Sequence, residues 1–320
     1  MAEQLRRRPW LFAAALALSL LIANILAEPS FGEPDNWPLN LATFAPFALV
    51  ALASTPSILS GGGGLDISVG PIMVFANVVL IQWFMPSAVL DSAWVSIPLV
   101  MLLGAAIGTI NGTLVTVVRF QPVIATLCTF FVLSGVIQKI SPTPVHVPAG
   151  NWTTDFGDQV GIVPGALILL AIPILLWVAL SGTAFHRNLY ETGGNDATAF
   201  SAGVNVTATR MVAYSLGGAI AAVAGVALTA LVQTTQTSSV ATYTLIALAA
   251  VALGGTQLGG GRGGFTASLL GALSIYLVQT FLGAIGVSFS WMNFVYGAML
   301  VTGVVVGAKL LTLKPKGPPA

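Results

Sequence analysis

Charge is what this chain has least of. Asp, Glu, Lys and Arg together make up 7% of its 320 residues, against 56% apolar and aromatic residues. Soluble domains carry about 25% charged residues, and a water-facing surface this poor in charge would aggregate. In lipid the demand reverses, because a buried charge costs ~3 kcal/mol and every backbone polar group must bond internally. The scarcity excludes an ordinary soluble fold and fixes the solvent before any motif is read.

Cysteine and histidine are nearly missing too. Cys128 is the only cysteine, so no disulfide forms within the chain. Its apolar neighbours predict a small packing residue. His146 and His186 stand far apart, each without a second ligand nearby, which argues against a metal site. Glycine runs at Gly61 to Gly64 and Gly259 to Gly264 invite a phosphate-binding reading. A P-loop, however, needs Gly-Lys-Ser/Thr after its glycines, and none of Lys139, Lys309, Lys314 or Lys316 sits in that setting. A dinucleotide fingerprint would need a soluble βαβ unit, of which there is no sign. HExxH is missing, no apolar segment holds paired carboxylates, and neither histidine has a serine or cysteine partner. The expectation is a chain with no catalytic residue, cofactor or metal of its own.

What the chain does have is long apolar runs. A helix needs about 20 apolar residues to cross a bilayer, and ten segments approach that length. They are 10–27, 39–60, 65–85, 93–118, 122–140, 162–181, 207–232, 240–254, 264–282 and 289–310. The second, third and eighth are interrupted by Gly, Pro and Thr, which predicts broken or re-entrant helices, tolerated only where protein or water covers the backbone. The fold class expected is an all-α polytopic membrane protein of about ten crossings. It forms a single transmembrane domain over 1–320, with a short basic N-terminus at 1–9 and a tail at 311–320.

The charges give it an orientation. With Arg6, Arg7 and Arg8 in the cytoplasm, ten crossings also place Arg119, Arg187, Arg210, Arg262, Lys309, Lys314 and Lys316 inside. Only Lys139 falls outside, whereas Glu28, Glu33, Asp35, Asp91, Asp155 and Asp158 lie there. This bias obeys the positive-inside rule and puts both termini in the cytoplasm. Eight crossings would keep the same parity. The first apolar run resembles a signal peptide, but it is long for one and Ile25-Leu26-Ala27 is a poor cleavage site, so a retained helix is expected.

Two polar stretches stand out. Ser141 to Gly161 is the longest outer loop. His186 to Asn205 is the longest inner one, read as a turn and then a short helix from about Asp196 to Ala202. Asp196 sits at that helix's start, where a carboxylate is favourable. Gly104, Gly108 and Gly112 repeat every four residues and predict a smooth ridge for close helix contact, as do Gly303 and Gly307. Asp66 is the one acid at apparent membrane depth. It reads either as a cap on orphan amides beside a helix break or as a functional carboxylate.

Four segments resemble the ribose-type ABC sugar importer permeases, within the branched-chain amino acid and sugar permease superfamily. Ser60-Gly-Gly-Gly-Gly-Leu-Asp-Ile-Ser-Val-Gly70 is similar to the family's Gly-Gly-Ile-Asp-Leu-Ser-Val-Gly, with two extra glycines. Glu191-Thr-Gly-Gly-Asn-Asp-Ala-Thr-Ala-Phe-Ser-Ala-Gly-Val-Asn-Val206 resembles Ala-x-Gly-Gly-Asn-Glu-x-Ala-Ala-x-x-Ser-Gly-Ile-x-Val, with Glu191 where small residues are usual. Ala252-Leu-Gly-Gly-Thr-Gln-Leu-Gly-Gly-Gly-Arg-Gly263 resembles Leu-Gly-Gly-Thr-Ser-Leu-x-Gly-Gly-Arg-Gly. Phe120-Gln-Pro-Val-Ile-Ala-Thr-Leu127 is a weaker match to Phe-Ile-Ala-Thr-Leu. The four occur in family order.

The resemblance implies a type II ABC importer-like permease subunit in a bacterial inner (plasma) membrane. Its partners would be a second permease subunit, the same or homologous, and two ABC ATPase subunits or a fused tandem. A periplasmic solute-binding protein would deliver a sugar or sugar-like solute; no nucleic acid is involved. The loop holding Glu191, Gly193, Gly194, Asn195, Asp196, Ala199, Gly203 and Val204 would couple to the ATPase. Gly63, Gly64, Asp66, Ser68 and Gly70 would form a helix break near the path. Gly254, Gly255, Thr256, Gly260, Arg262 and Gly263 would form a motif on the cytoplasmic side. Asn77, Gln82, Asn111, Thr126, Gln138, Gln233, Thr234, Gln279 and Asn293 are the polar side chains available to a path. Two other classes compete. An ion-coupled carrier or channel would transport without ATP and depend on Asp66, and a membrane enzyme would turn over a substrate. Within the importer class, a branched-chain amino acid is the alternative cargo.

Overall fold

The computed structural model describes residues 10–312, and within them the regular structure is almost entirely helical. Helix α1 is Trp10–Ala27 and α2 is Trp37–Leu59. Helix α3, Val69–Val79, runs on through one π-helical turn to Phe84. Then come α4 (Ala93–Thr116), α5 (Pro122–Ile140) and the short α6 (Trp152–Gly157). A two-residue antiparallel pair, β1 (Gln159–Val160) and β2 (Val163–Pro164), leads to α7 (Gly165–Ser181). Helices α8 (Ala184–Gly194), α9 (Asp196–Ser201), α10 (Val206–Val232), α11 (Val240–Leu253), α12 (Phe265–Ala284) and α13 (Met292–Thr312) complete the order.

Each of the ten apolar segments forms a helix. Six are long and apolar enough to cross a membrane: α1, α2 with its preceding turn, α4, α5, α10 and α12. Helices α7 and α8 meet at 87°, and taken as one bent span they would make a seventh. Helices α3, α11 and α13 are apolar but shorter over their described residues. The arginines at 6–8 and the lysines at 314 and 316 lie outside the described residues.

Helices α2 and α10 form the centre and are buried along most of their length. Glycine decides how closely their neighbours approach. A Cβ on Gly104 would overlap the Gly218 carbonyl, and one on Gly108 the Tyr214 carbonyl. At Gly112 it would stand 2.9 Å from Met211 Cα. The predicted ridge on α4 is therefore the seam with α10. The same device joins α11 to α12, where Gly271 faces the Ala250 carbonyl and Gly254 faces that of Ala267. On α13, a Cβ at Gly303 would lie 2.8 Å from Leu253 N. With lipid as apolar as leucine, contact of this kind is what holds helices together.

The short helices α3 and α11 meet at their N-terminal ends. A side chain on Gly70 would overlap both Val240 O and Thr244 Oγ1 of α11. Irregular backbone extends each of them. Thr244 Oγ1 donates to Ile67 O (3.1 Å), tying the segment before α3 to α11. Asn77, two turns along α3, accepts from Gln236 N (2.9 Å) and donates to Thr229 Oγ1 (2.8 Å) and Thr234 O (3.3 Å). The loop before α11 thus lies along α3. Non-helical backbone is tolerated at depth only when its polar groups are satisfied in this way.

Three local expectations change, and one loop gains detail. The first half of the 186–205 stretch is helix and not turn, because Leu189 and Thr192 bury one face of α8. Asn195 ends α8 in extended backbone and caps α9 by accepting from Thr198 N (2.9 Å). The 141–161 stretch is held in place by hydrogen bonds: Val147 N donates to Gln233 O (3.0 Å), Thr235 N donates to Val145 O (2.9 Å), and Asn151 Nδ2 donates to Asp91 Oδ1 (2.7 Å). Cys128 is exposed on α5 and not packed. Asp66 is not the N-cap of α3, a position held by Ser68. Its Oδ1 accepts from Ser68 N (2.9 Å) and Ser68 Oγ (2.6 Å), an Asx-type turn just ahead of the helix.

The glycine seam can be tested directly. Gly218→Val should destabilise the folded protein by ~3 kcal/mol, since overpacking against backbone has no soft neighbour to displace. Gly135→Ala, with nothing within 4 Å of its Cβ, should leave stability unchanged or slightly higher. Thermal unfolding in detergent, followed by tryptophan fluorescence, reads both.

Candidate functional site

Three separate glycine motifs meet at one end of the bundle. After α2 the chain reverses through Gly61, Gly62 and Gly63, whose φ values of 72°, 64° and 74° are left-handed and suit glycine alone. Gly193, at the end of α8, packs on that reversal. A Cβ at Gly61 would lie 2.8 Å from Gly193 Cα, and one at Gly193 would overlap both Leu59 O and Gly261 N. Gly260 and Gly261 come from the loop between α11 and α12, with positive φ of 95° and 72°. Gly261 N donates to Leu59 O (3.1 Å), and a Cβ there would lie 2.6 Å from Gly194 N. Backbone therefore touches backbone among residues 59–61, 193–194 and 260–261.

Side chains lock this knot. Tyr190 Oη on α8 donates to Gly263 O (2.9 Å). Trp177 stacks on Phe265 with centroids 4.1 Å apart, and His186 sits edge-on between Trp177 and Tyr190. Partial burial there holds His186 below its ordinary pKa, favouring the neutral ring. Thr256 Oγ1 accepts from Gly264 N (3.2 Å), and its neighbour Ser268 accepts from Thr55 Oγ1 on α2 (2.7 Å). Gly255 and Gly263 both have positive φ, and the Arg262 carbonyl accepts from Gln257 N while its side chain is exposed. The whole 254–263 motif is thereby fixed against α2 and α8.

Helix α9 projects from this base. Ala199 is buried and Val204 half-buried, which seats it, while Glu191, Gly194, Asn195, Asp196 and Gly203 are exposed. Phe200 is 74% exposed, an aromatic with no intrachain role. Arg210, the only charged residue of α10, reaches back to this group. Its Nη2 donates to Asp196 Oδ2 (3.2 Å) and its Nε donates to Ser60 O (3.3 Å).

A second polar cluster lies deeper. Asp66 is buried, and Ser68 Oγ, besides donating to it, accepts from Asn111 Nδ2 on α4 (2.7 Å). Asn111 Oδ1 in turn accepts from Thr129 Oγ1 on α5. Thr126 Oγ1 accepts from Ile67 N (3.2 Å). Helices α4 and α5 are thus tied to the break before α3. Asp66 Oδ2 and Tyr214 Oη are left without a partner among the described residues.

The break residues Gly63, Gly64, Asp66, Ser68 and Gly70 do not form one surface. Gly63 faces open space, Gly64 packs on Ser57 O, and Gly70 packs on α11. Among the polar residues named for a path, Asn77, Asn111 and Thr126 are buried in packing contacts. Gln233 closes α10 in left-handed backbone, and Thr234 donates to Val145 O (3.1 Å). Gln279 accepts from Tyr296 and Asn293 from Thr242. Gln82 is half-buried and Gln138 exposed. Arg210, Tyr190 and Phe200 were missing from the sequence-derived sites. For Arg210 a signal existed, since it is a lone charge in a 27-residue apolar helix. Among the described residues, no group of three or more His, Cys, Asp or Glu could hold a metal.

A model of the branched-chain amino acid transport system / permease component family matches residues 39–304. The chain belongs to this family. It is 35% identical to the ribose import permease protein RbsC of Bacillus subtilis (strain 168) over 310 residues, 92% of this chain and 91% of that one. It is 30% identical to RbsC of Escherichia coli (strain K12), covering 94% of this chain and 95% of the relative. The fructose import permease protein FruG of Bifidobacterium longum (strain NCC 2705) is 30% identical over 270 residues, 81% of this chain and 78% of that one. No solved structure gives a significant match. A multi-pass membrane permease is the plain reading of these matches and of the apolar helices.

The knot predicts a sharp difference between adjacent glycines. Gly193→Ala should prevent accumulation of folded protein, because its Cβ meets backbone on two sides. Gly194→Ala, next to it, has nothing within 4 Å and should accumulate as wild type does. Size-exclusion profiles of the two variants give the comparison.

Proposed function

We propose that this chain is the membrane-spanning subunit of an ATP-driven importer that moves a sugar or sugar-like solute inward. One observation carries the reading: an exposed short helix, α9, is braced on a knot of three glycine motifs, in a sequence that carries no Gly-Lys-Ser/Thr phosphate-loop motif. A subunit built this way offers a lever to an outside energy source. Separate ABC ATPase subunits push on α9, a periplasmic solute-binding protein delivers the solute, and a second permease subunit completes the path. The loop from Glu191 to Val204 is the coupling segment, and the 254–263 motif is its backing. The sugar cargo is supported by the ribose and fructose permeases among the relatives.

The topology follows from the same reading. Ten crossings in one domain over 1–320, with both termini in the cytoplasm of a bacterial inner membrane, account for the charge bias. They also account for the loop contacts. Residues 59–64, 191–196 and 254–263, all inner by charge, touch one another, while 91, 145–151 and 233–235, all outer, do likewise. Helices α3 and α11 then each count as a crossing completed by irregular backbone.

Co-expression with the neighbouring ATPase and binding protein provides the test. Replacing Asn195 and Asp196 with lysine should abolish ATPase co-purification, and Phe200→Ala should weaken it by about 2 kcal/mol, the scale of an interface hot spot. Reconstituted in vesicles, the wild-type complex should take up ribose, fructose or a related sugar only with ATP. Uptake without ATP, or uptake of branched-chain amino acids alone, would refute the reading.

A further inference from the structure

Arg210 occupies a position that packing alone does not explain. It is the only charged side chain on a long helix of the bundle's centre, and it makes the one salt bridge among the described residues. That bridge goes to Asp196 at the start of α9. The same guanidinium donates through Nε to Ser60 O, at the end of α2 where the chain breaks. Its face covers Gly62: a Cβ there would stand 2.6 Å from Nη2 and 2.8 Å from Cζ. One rigid planar group therefore touches the exposed α9 at one edge and the backbone of the break at the other.

The chemistry suits a transmitter better than a stabiliser. The Arg210 side chain is 17% exposed and that of Asp196 is 55% exposed, and a pair so open to water contributes little to stability. Its use lies in geometry, because guanidinium holds several donors in a fixed fork that a lysine cannot reproduce. The break that starts at Ser60 runs to Ser68, the N-cap of α3, which is hydrogen-bonded to the buried Asp66. Polar contacts thus run from α9 through Arg210 to the start of the break.

We propose that Arg210 is the positioning residue that carries displacement of α9 to the 60–68 break. This rests on the reading of α9 as the ATPase-coupling helix. When α9 shifts, the guanidinium moves with Asp196 and drags or releases Ser60 and Gly62, which form the inner entrance to the segment leading into α3.

The test uses the assembled complex with its ATPase and binding protein in vesicles, carrying spin labels at Ser201 on α9 and at Leu65 in the break. In the otherwise wild-type complex, ATP should shift both labels relative to a reference label on α12. In Arg210→Gln the Ser201 shift should persist, the Leu65 shift should vanish, and sugar uptake should fall ~10-fold, within the range of coupling between linked sites. Arg210→Lys should keep the charge, fold, and recover only part of the Leu65 shift. Should the glutamine variant fail to assemble, the lysine variant decides alone, and a full Leu65 shift in it would overturn the proposal. So would a Leu65 shift that survives in Arg210→Gln, or a wild-type complex in which Ser201 moves and Leu65 does not. A wild-type complex in which ATP fails to move Ser201 would instead remove the coupling role of α9 itself.

Discussion

Apolar side chains gain little by meeting one another in lipid, so the helices of this chain must be held by something other than burial from water. Here that something is direct approach of backbones at glycine. The seam of α4 on α10, the seam of α11 on α12 and the knot of residues 59–61, 193–194 and 260–261 all use it. Each such contact needs two surfaces without side chains in the way. That is why Gly104 meets Gly218, and why Gly193 meets Leu59 and Gly261 at their main-chain atoms.

This constraint explains how irregular backbone survives in the middle of the molecule. Two helices, α3 and α11, are short, and the chain on either side of them needs partners for its amides and carbonyls. Close packing brings those partners within reach: Asn77 serves the loop before α11, Thr126 serves Ile67 N, and Thr244 serves Ile67 O. The polar residues of the interior are thus spent largely on holding the breaks open. The seams and the knot are close-packed, while a side chain on Gly63, Gly194 or Gly259, in the same motifs, would face free space. Close packing and free space alternate along a single glycine run.

The proposed coupling to an ATPase rests on that alternation. A lever needs a stiff base and an exposed arm. The aromatic stack of Trp177 on Phe265 and the Tyr190 bond to Gly263 supply the base. Helix α9, with Phe200 uncovered, supplies the arm. Arg210 joins the arm to the break through two hydrogen bonds.

Much of this was legible in the residues alone. Composition dictated the solvent, ten apolar runs dictated ten helices, and the spacing of Gly104, Gly108 and Gly112 dictated a contact ridge, since each depends on local chemistry or on helical period. The start of α9 at Asp196 was legible for the same reason, because capping is a local matter. Tertiary structure decided the rest. It turned the predicted turn before α9 into α8, whose buried face exists only once Leu189 has a core to enter. It moved Asp66 from the cap itself to a turn before it, and it left Cys128 exposed on α5. Most of all, it brought together glycine motifs that lie far apart in the chain. Sequence shows that Gly61, Gly193 and Gly261 permit close approach, but permission has no direction, and only the packing of α2, α8 and the α11–α12 loop determines which backbone each one meets.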